Sequence, residues 1–200
     1  MRPLGAALLL VGLAAPCLAQ PIANPSGYRT TVLLKVPLAD LVGEFERLCL
    51  ATSFDHGRFA AAIGRSRWRF TAQRGPDSED VRQAPQAVVV FNQPPVDEGR
   101  SYGPPQCNME AATLRPETPA ALRASLEAAL VRVAGAVPPH HMRGIETCWR
   151  WTPSSDSVLR LCLMSRPGMS PEHVALSFQR WTPRAEARAH LVPPAEGERR

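Results

Sequence analysis

Residues 145–164, IETCWRWTPSSDSVLRLCLM, carry the pattern that decides the fold. Two runs of alternating apolar and polar side chains, 145–152 and 157–164, flank the turn-forming Pro153-Ser154-Ser155-Asp156. A hairpin centred on Ser155 sets Trp149 opposite Leu161, Trp151 opposite Leu159 and Cys148 opposite Cys162. A third run, 173–181, follows the connector Arg166-Pro167-Gly168-Met169-Ser170-Pro171. It can place Leu163 opposite Val174, Leu161 opposite Leu176 and Leu159 opposite Phe178. All eight large apolar residues then share one face of a half-buried, three-stranded antiparallel meander. Directly opposed residues lie about 4.5–5.5 Å apart at Cα, within disulfide reach. The register that unites the apolar face therefore also predicts a Cys148–Cys162 bond.

Upstream of this meander, helical and strand periods alternate. Residues 30–36 suit a short strand. Pro37 then opens a helix whose Leu38, Leu41, Val42, Phe45, Leu48 and Cys49 form one apolar stripe. A second helix begins with Asp55 as its cap, buries Phe59, Ala62 and Ile63, and stops at Gly64. Trp68 and Phe70 alternate with Arg67, Arg69 and Thr71 as a half-exposed strand. Segments 73–85 and 92–106, polar and Pro/Gly-rich, read as long loops around a strand at 87–91. A weaker strand covers 107–114. Thr118-Pro119 then caps a helix with Leu122, Leu126, Ala129, Leu130 and Val133 on one side, ended by Gly135. Helix followed by three strands thus occurs twice, at 55–114 and 119–181, which duplication or coincidence in an Arg-rich chain would explain. The predicted class is α+β: an antiparallel sheet with helices packed on one face, stabilised by disulfides.

Residues 1–19 read as a cleavable secretory signal peptide. Arg2 supplies the charge, 4–15 (LGAALLLVGLAA) the apolar run, and Cys17-Leu18-Ala19 the small-residue cleavage site before Gln20. The apolar run is shorter than the roughly 18 residues a membrane span needs. Pro16 stands where a lipoprotein box places a small residue. Beyond the leader the expected organisation is a tail at 20–29, one domain at 30–182 and a disordered, charged, Pro-rich tail at 183–200. Export sends the chain to the periplasm or the medium. There, four remaining cysteines (Cys49, Cys107, Cys148, Cys162) point to two disulfides. Cys49–Cys107 is the weaker second pair: Cys49 lies on the apolar stripe of the first helix, where a buried free thiol is the alternative.

Basic residues outnumber acidic ones, 23 to 18, and Lys35 is the single lysine. The arginines are scattered, with no run of five or six, and nucleic acid is not an expected partner for an exported chain. An envelope protein or an anionic envelope polymer is. No catalytic residue, cofactor or metal site is predicted. Nucleophile motifs and phosphate-cradling glycine loops are absent. His140-His141, in a loop with no Asp, Glu or Cys within four residues, lacks metal-ligand spacing. Trp68, Trp149, Trp151 and Trp181 interleave with Arg69, Arg150 and Arg180, but alternation assigns Trp149 and Trp151 to the core. The sequence points to a small exported, non-enzymatic binding or inhibitor module, with loops 73–85 and 92–106 as contact surfaces. The alternative is a cell-envelope hydrolase whose site assembles across the fold.

Overall fold

A computed structural model describes residues 34–73, 79–92, 104–143, 146–164 and 170–191, together with two dipeptide strands nearer the N-terminus. The leader at 1–19 lies outside the described residues, as do 93–103 of the second loop and 192–200 of the C-terminal tail. The chain divides into two units, Met1–Thr31 and Val32–Arg200. In the first, β1 (Ile22–Ala23) pairs antiparallel with β2 (Arg29–Thr30), within and just beyond the segment read as a tail.

The second unit is built on one eight-stranded antiparallel sheet. Its strands are β3 (Thr71–Gln73), β4 (Glu79–Gln83), β5 (Ala87–Asn92), β6 (Gln106–Ala112), β7 (His140–Arg143), β8 (Glu146–Ser154), β9 (Ser157–Met164) and β10 (His173–Trp181), in spatial order 3-4-5-6-10-9-8-7. That order is palindromic. Two four-stranded meanders, each preceded by a helix, meet along β6 and β10. The helices are α1 (Leu38–Phe45), α2 (His56–Gly64), α3 (Pro119–Ala134) and α4 (Pro183–Leu191). Together they make the α+β class, with both cysteine pairs, Cys148–Cys162 and Cys49–Cys107, bonded.

Local chemistry sets the helix ends. Asp55 accepts a hydrogen bond from the Arg58 N–H at 2.7 Å and starts α2. Thr118 accepts from the Ala121 N–H, Pro119 occupies the first turn, and Gly135 ends α3 in the left-handed region at φ 77°. Beyond Phe45, α1 widens into a π-helical turn, Glu46–Leu50, whose end Thr52 secures by donating to the Leu48 and Cys49 carbonyls.

One sheet face carries the main core. Across the strands run Phe91, Cys107, Phe178, Leu161 and Trp149, and below them Val89, Met109, Leu176 and Leu163. Phe59 of α2 stacks on Phe91 at 4.5 Å, Cys49 of the π-turn is bonded to Cys107, and Glu127 of α3 accepts from the Trp149 indole. Helix α4 is the exception. Its Glu186 pairs with Arg150 and Arg160, which alternate with the core residues and so stand on the opposite face.

Several expectations are corrected. The β8–β9 register is the one read from the sequence, but β10 sits two residues further along. Leu163 opposes Leu176, Leu161 opposes Phe178, and Leu159 opposes Arg180. A two-residue slip keeps every side chain on its face, so patterning does not distinguish the two registers. Trp68–Phe70 is not a strand: Arg69 adopts φ 50° and extension begins at Thr71. Segment 73–85 contains β4 rather than being one loop, because Glu79–Gln83 ladders onto β5. His140 and His141 lie on strand β7, paired with β8, not in a loop. Residues 183–191 are helical, started by Pro183 and by the Thr182 hydroxyl, which accepts from the Ala185 N–H.

Candidate functional site

A charged concavity lies where the α1 helix widens and turns back into α2. A groove of about 580 Å³ is lined by Arg47, Ala51, Thr52, Asp55, Arg58 and Arg65, with small residues on its α2 wall. The π-turn places Arg47 on one wall, and α2 places Arg58 and Arg65 on the other. Two non-glycine residues, Ser53 (φ 49°) and Phe54 (φ 65°), take the left-handed conformation in the connecting turn. Phe54 is held there by stacking on Phe178 at 4.7 Å. Widened helical turns and strained backbone of this kind concentrate at functional sites.

Positive charge is in excess in the groove, three arginines against Asp55. Arg47 pairs with Glu44 and donates to the Arg65 carbonyl at 3.0 Å. Its pKa is nonetheless lowered, first by burial and then by the positive charges of Arg65 and Arg67. Arg67 is neutralised by Asp40 at 2.5 Å. No ion pair is formed by Arg58 or Arg65 among the described residues, and both are exposed. Asp55, the acid in the groove, is engaged as the α2 cap. The arrangement suits an anionic group, which two free guanidinium forks would grip bidentately.

A second groove, about 530 Å³, runs between Pro37, Leu38, Ala39, Leu114, Ala121 and Ser125, with Arg115 and Glu117 at its rim. It is mainly apolar.

The opposite sheet face is also buried, but it is studded with polar groups. Glu110 and His173 lie 3.6 Å apart, both almost fully buried. Among the described residues, Asn92 Oδ1, Asn108 Oδ1, Glu110 Oε2 and His173 Nδ1 are buried without a hydrogen-bond partner. Unsatisfied buried polar atoms cost stability. Asn108→Leu is therefore expected to raise unfolding free energy by about 1 kcal/mol, read as a higher melting temperature by calorimetry. A drop of similar size would show that the amide is satisfied through its nitrogen.

At the β8–β9 end of this face, Glu186 bridges Arg150 at 2.8 Å and Arg160 at 3.0 Å. Hydrogen bonding from Arg150, reinforced by the charges of both arginines, holds the Glu186 carboxyl below the ordinary carboxylate range against the opposing effect of burial. The same face carries Cys148–Cys162, with Glu146 beside it.

The cysteines expected to pair are paired. The loops expected as contact surfaces are replaced in part by strands, and 93–103 lies outside the described residues. Sequence reading missed the arginine groove, because Arg47, Arg58 and Arg65 are scattered and only the π-turn and α2 bring them together. It also missed Glu110, Arg160, His173 and Glu186 as buried polar residues. Arg160 and His173 fall on the non-core side of the alternation, Glu110 lies on the strand read as weak, and Glu186 lies in the segment read as a tail.

No protein-family model, curated protein or solved structure matches the chain. Fold and site therefore define its class: an antiparallel α+β domain with two disulfides and an arginine-lined groove. No described helix is long and apolar enough to cross a membrane.

Proposed function

We propose that this is an exported, non-enzymatic binding module of the periplasm or medium, which takes up an anionic envelope polymer in the groove formed by Arg47, Arg58 and Arg65. Export is argued from the leader pattern at 1–19, and two disulfides are compatible with it. The observation that carries the binding reading is the excess of positive charge at the groove, in which Arg58 and Arg65 form no ion pair among the described residues. The hydrolase alternative would need a groove carrying a carboxyl or imidazole with a displaced pKa. The displaced carboxyls Asp156, Glu172 and Glu186 are all lowered, and none lines the two grooves.

Titration of the full chain with polyglutamate and with polyphosphate, followed by calorimetry at several salt concentrations, tests the proposal. Binding is expected to weaken with salt. The double substitution Arg58→Glu/Arg65→Glu is expected to weaken it at least roughly tenfold, since like charges then face the ligand. Equal affinity for the wild type and the double variant would overturn the assignment.

A further inference from the structure

The Cys148–Cys162 pair has a neighbour that a purely structural crosslink does not need. One carboxylate oxygen of Glu146 and the two sulfur atoms all lie within 4.8 Å of one another. Glu146 and Cys148 are two apart on β8 and therefore project from the same face. Across the other edge of β8, the register sets His141 of β7 directly opposite Cys148, which places its side chain on that face too. Cys162, Cys148 and His141 thus form a row across three adjacent strands, with Glu146 diagonal to it. The two sulfurs and the carboxylate are three donors in mutual range, while the His141 imidazole stands on the same face outside that group. Two sulfurs, one imidazole and one carboxylate are the donor set and number of a tetrahedral zinc site.

We infer that Cys148, Cys162, Glu146 and His141 form a redox-gated site for a thiophilic divalent cation, closed while the disulfide is intact and opened by reduction. A dithiol reductant transfers two electrons to the S–S bond and leaves as its own disulfide, its two protons passing to the cysteine sulfurs. Zinc then displaces both protons and binds the two thiolates, with the Glu146 carboxylate and a neutral His141 imidazole completing the shell. The donors stay in place after reduction because the disulfide does not set the register. The flanking β8–β9 pairs Thr147–Leu163, Trp149–Leu161 and Trp151–Leu159 hold the strands together, and Trp149 and Leu161 are fully buried in the core. A carboxylate has no part in a disulfide crosslink, yet here it stands within ligand range of both sulfurs. The half-buried Glu146 and His141 leave the cluster a route to solvent, although Cys148 itself is fully buried.

The test uses the full chain with cobalt(II) and zinc. Cobalt bound by two thiolates in a tetrahedral shell gives a sulfur-to-metal charge-transfer band that oxygen ligation does not. Oxidised protein is expected to show no band. Protein reduced with a dithiol is expected to show it, to bind one metal ion per chain, and to lose it when zinc is added. Cys148→Ser/Cys162→Ser should abolish the band. Glu146→Gln and His141→Ala should each lower affinity roughly tenfold or more, since each removes one donor. Cys49→Ala/Cys107→Ala should keep the band, which separates this pair from the other. Near-ultraviolet circular dichroism of each reduced sample establishes that the fold is present. The inference is overturned if folded, reduced wild-type protein shows no band. It is equally overturned if the band survives Cys148→Ser/Cys162→Ser, or if Glu146→Gln and His141→Ala both bind metal as tightly as the wild type.

Discussion

Replacing Cys49 and Cys107 together with alanine is expected to cost about 4 kcal/mol of unfolding free energy. The bond joins residues 58 apart in sequence, and loop-closure entropy removed from the unfolded chain grows with that separation. The Cys148–Cys162 bond spans 14 positions and on the same reckoning contributes about 3 kcal/mol. Both Cys49 and Cys107 are fully buried, so nothing exposed has to be reordered when they are lost. Urea denaturation at neutral pH, with Cys148–Cys162 intact, measures the difference. A loss below about 1 kcal/mol would mean that the first pair does not crosslink the unfolded chain.

The second large effect belongs to Glu186. Glu186→Gln removes the carboxylate charge beside Arg160, which is 3% exposed, and breaking a buried pair in this way costs about 3 kcal/mol. Arg150 is more exposed and contributes less. The cost depends on pH with a definite sign. The Glu186 carboxyl is held below its unfolded value, so its contribution is fully present above the ordinary carboxylate pKa. It is lost as pH falls through the lower folded-state value. Wild type and Glu186→Gln should therefore differ most at neutral pH and converge under strong acid. Chemical denaturation of both at a series of pH values provides the check. A gap that persists unchanged into acid would remove the charge from the explanation.

How much of this was legible in the sequence depends on how each element earns its stability. The β8–β9 hairpin was readable because its turn chemistry, its apolar alternation and its two cysteines all demand one register. The β9–β10 register was not, since a shift by two preserves the apolar face and no cysteine or turn pins it. Edge elements were hidden for a related reason. Thr71–Gln73 is exposed throughout, Glu79–Gln83 buries only Val81, and His140–Arg143 has no apolar alternation. Such strands are held by the ladder rather than by their side chains. Helix α4 looked like a tail because Pro183–Leu191 is charged and Ala-rich, and its described ion pairs run through the Glu186 carboxylate. The arginine groove depends on a π-turn that no local signal announces, and the Glu146–Cys148–Cys162–His141 row depends on β7 being a strand at all.

The palindromic strand order has a kinetic meaning. Every ladder in the large sheet except one joins strands consecutive in the chain, so each four-stranded half can form from contacts close in sequence. The exception is the seam, where β6 meets β10 across about sixty residues or more. Low contact order within each half and high contact order at one junction make the protein two fast-forming pieces and one slow encounter. The seam also carries the centre of the core, Met109 against Leu176 and Cys107 against Phe178. The apolar faces of the two halves are therefore completed only when they meet. The mutual burial of those faces is the expected late step in folding, the step at which a newly made chain is most exposed to aggregation.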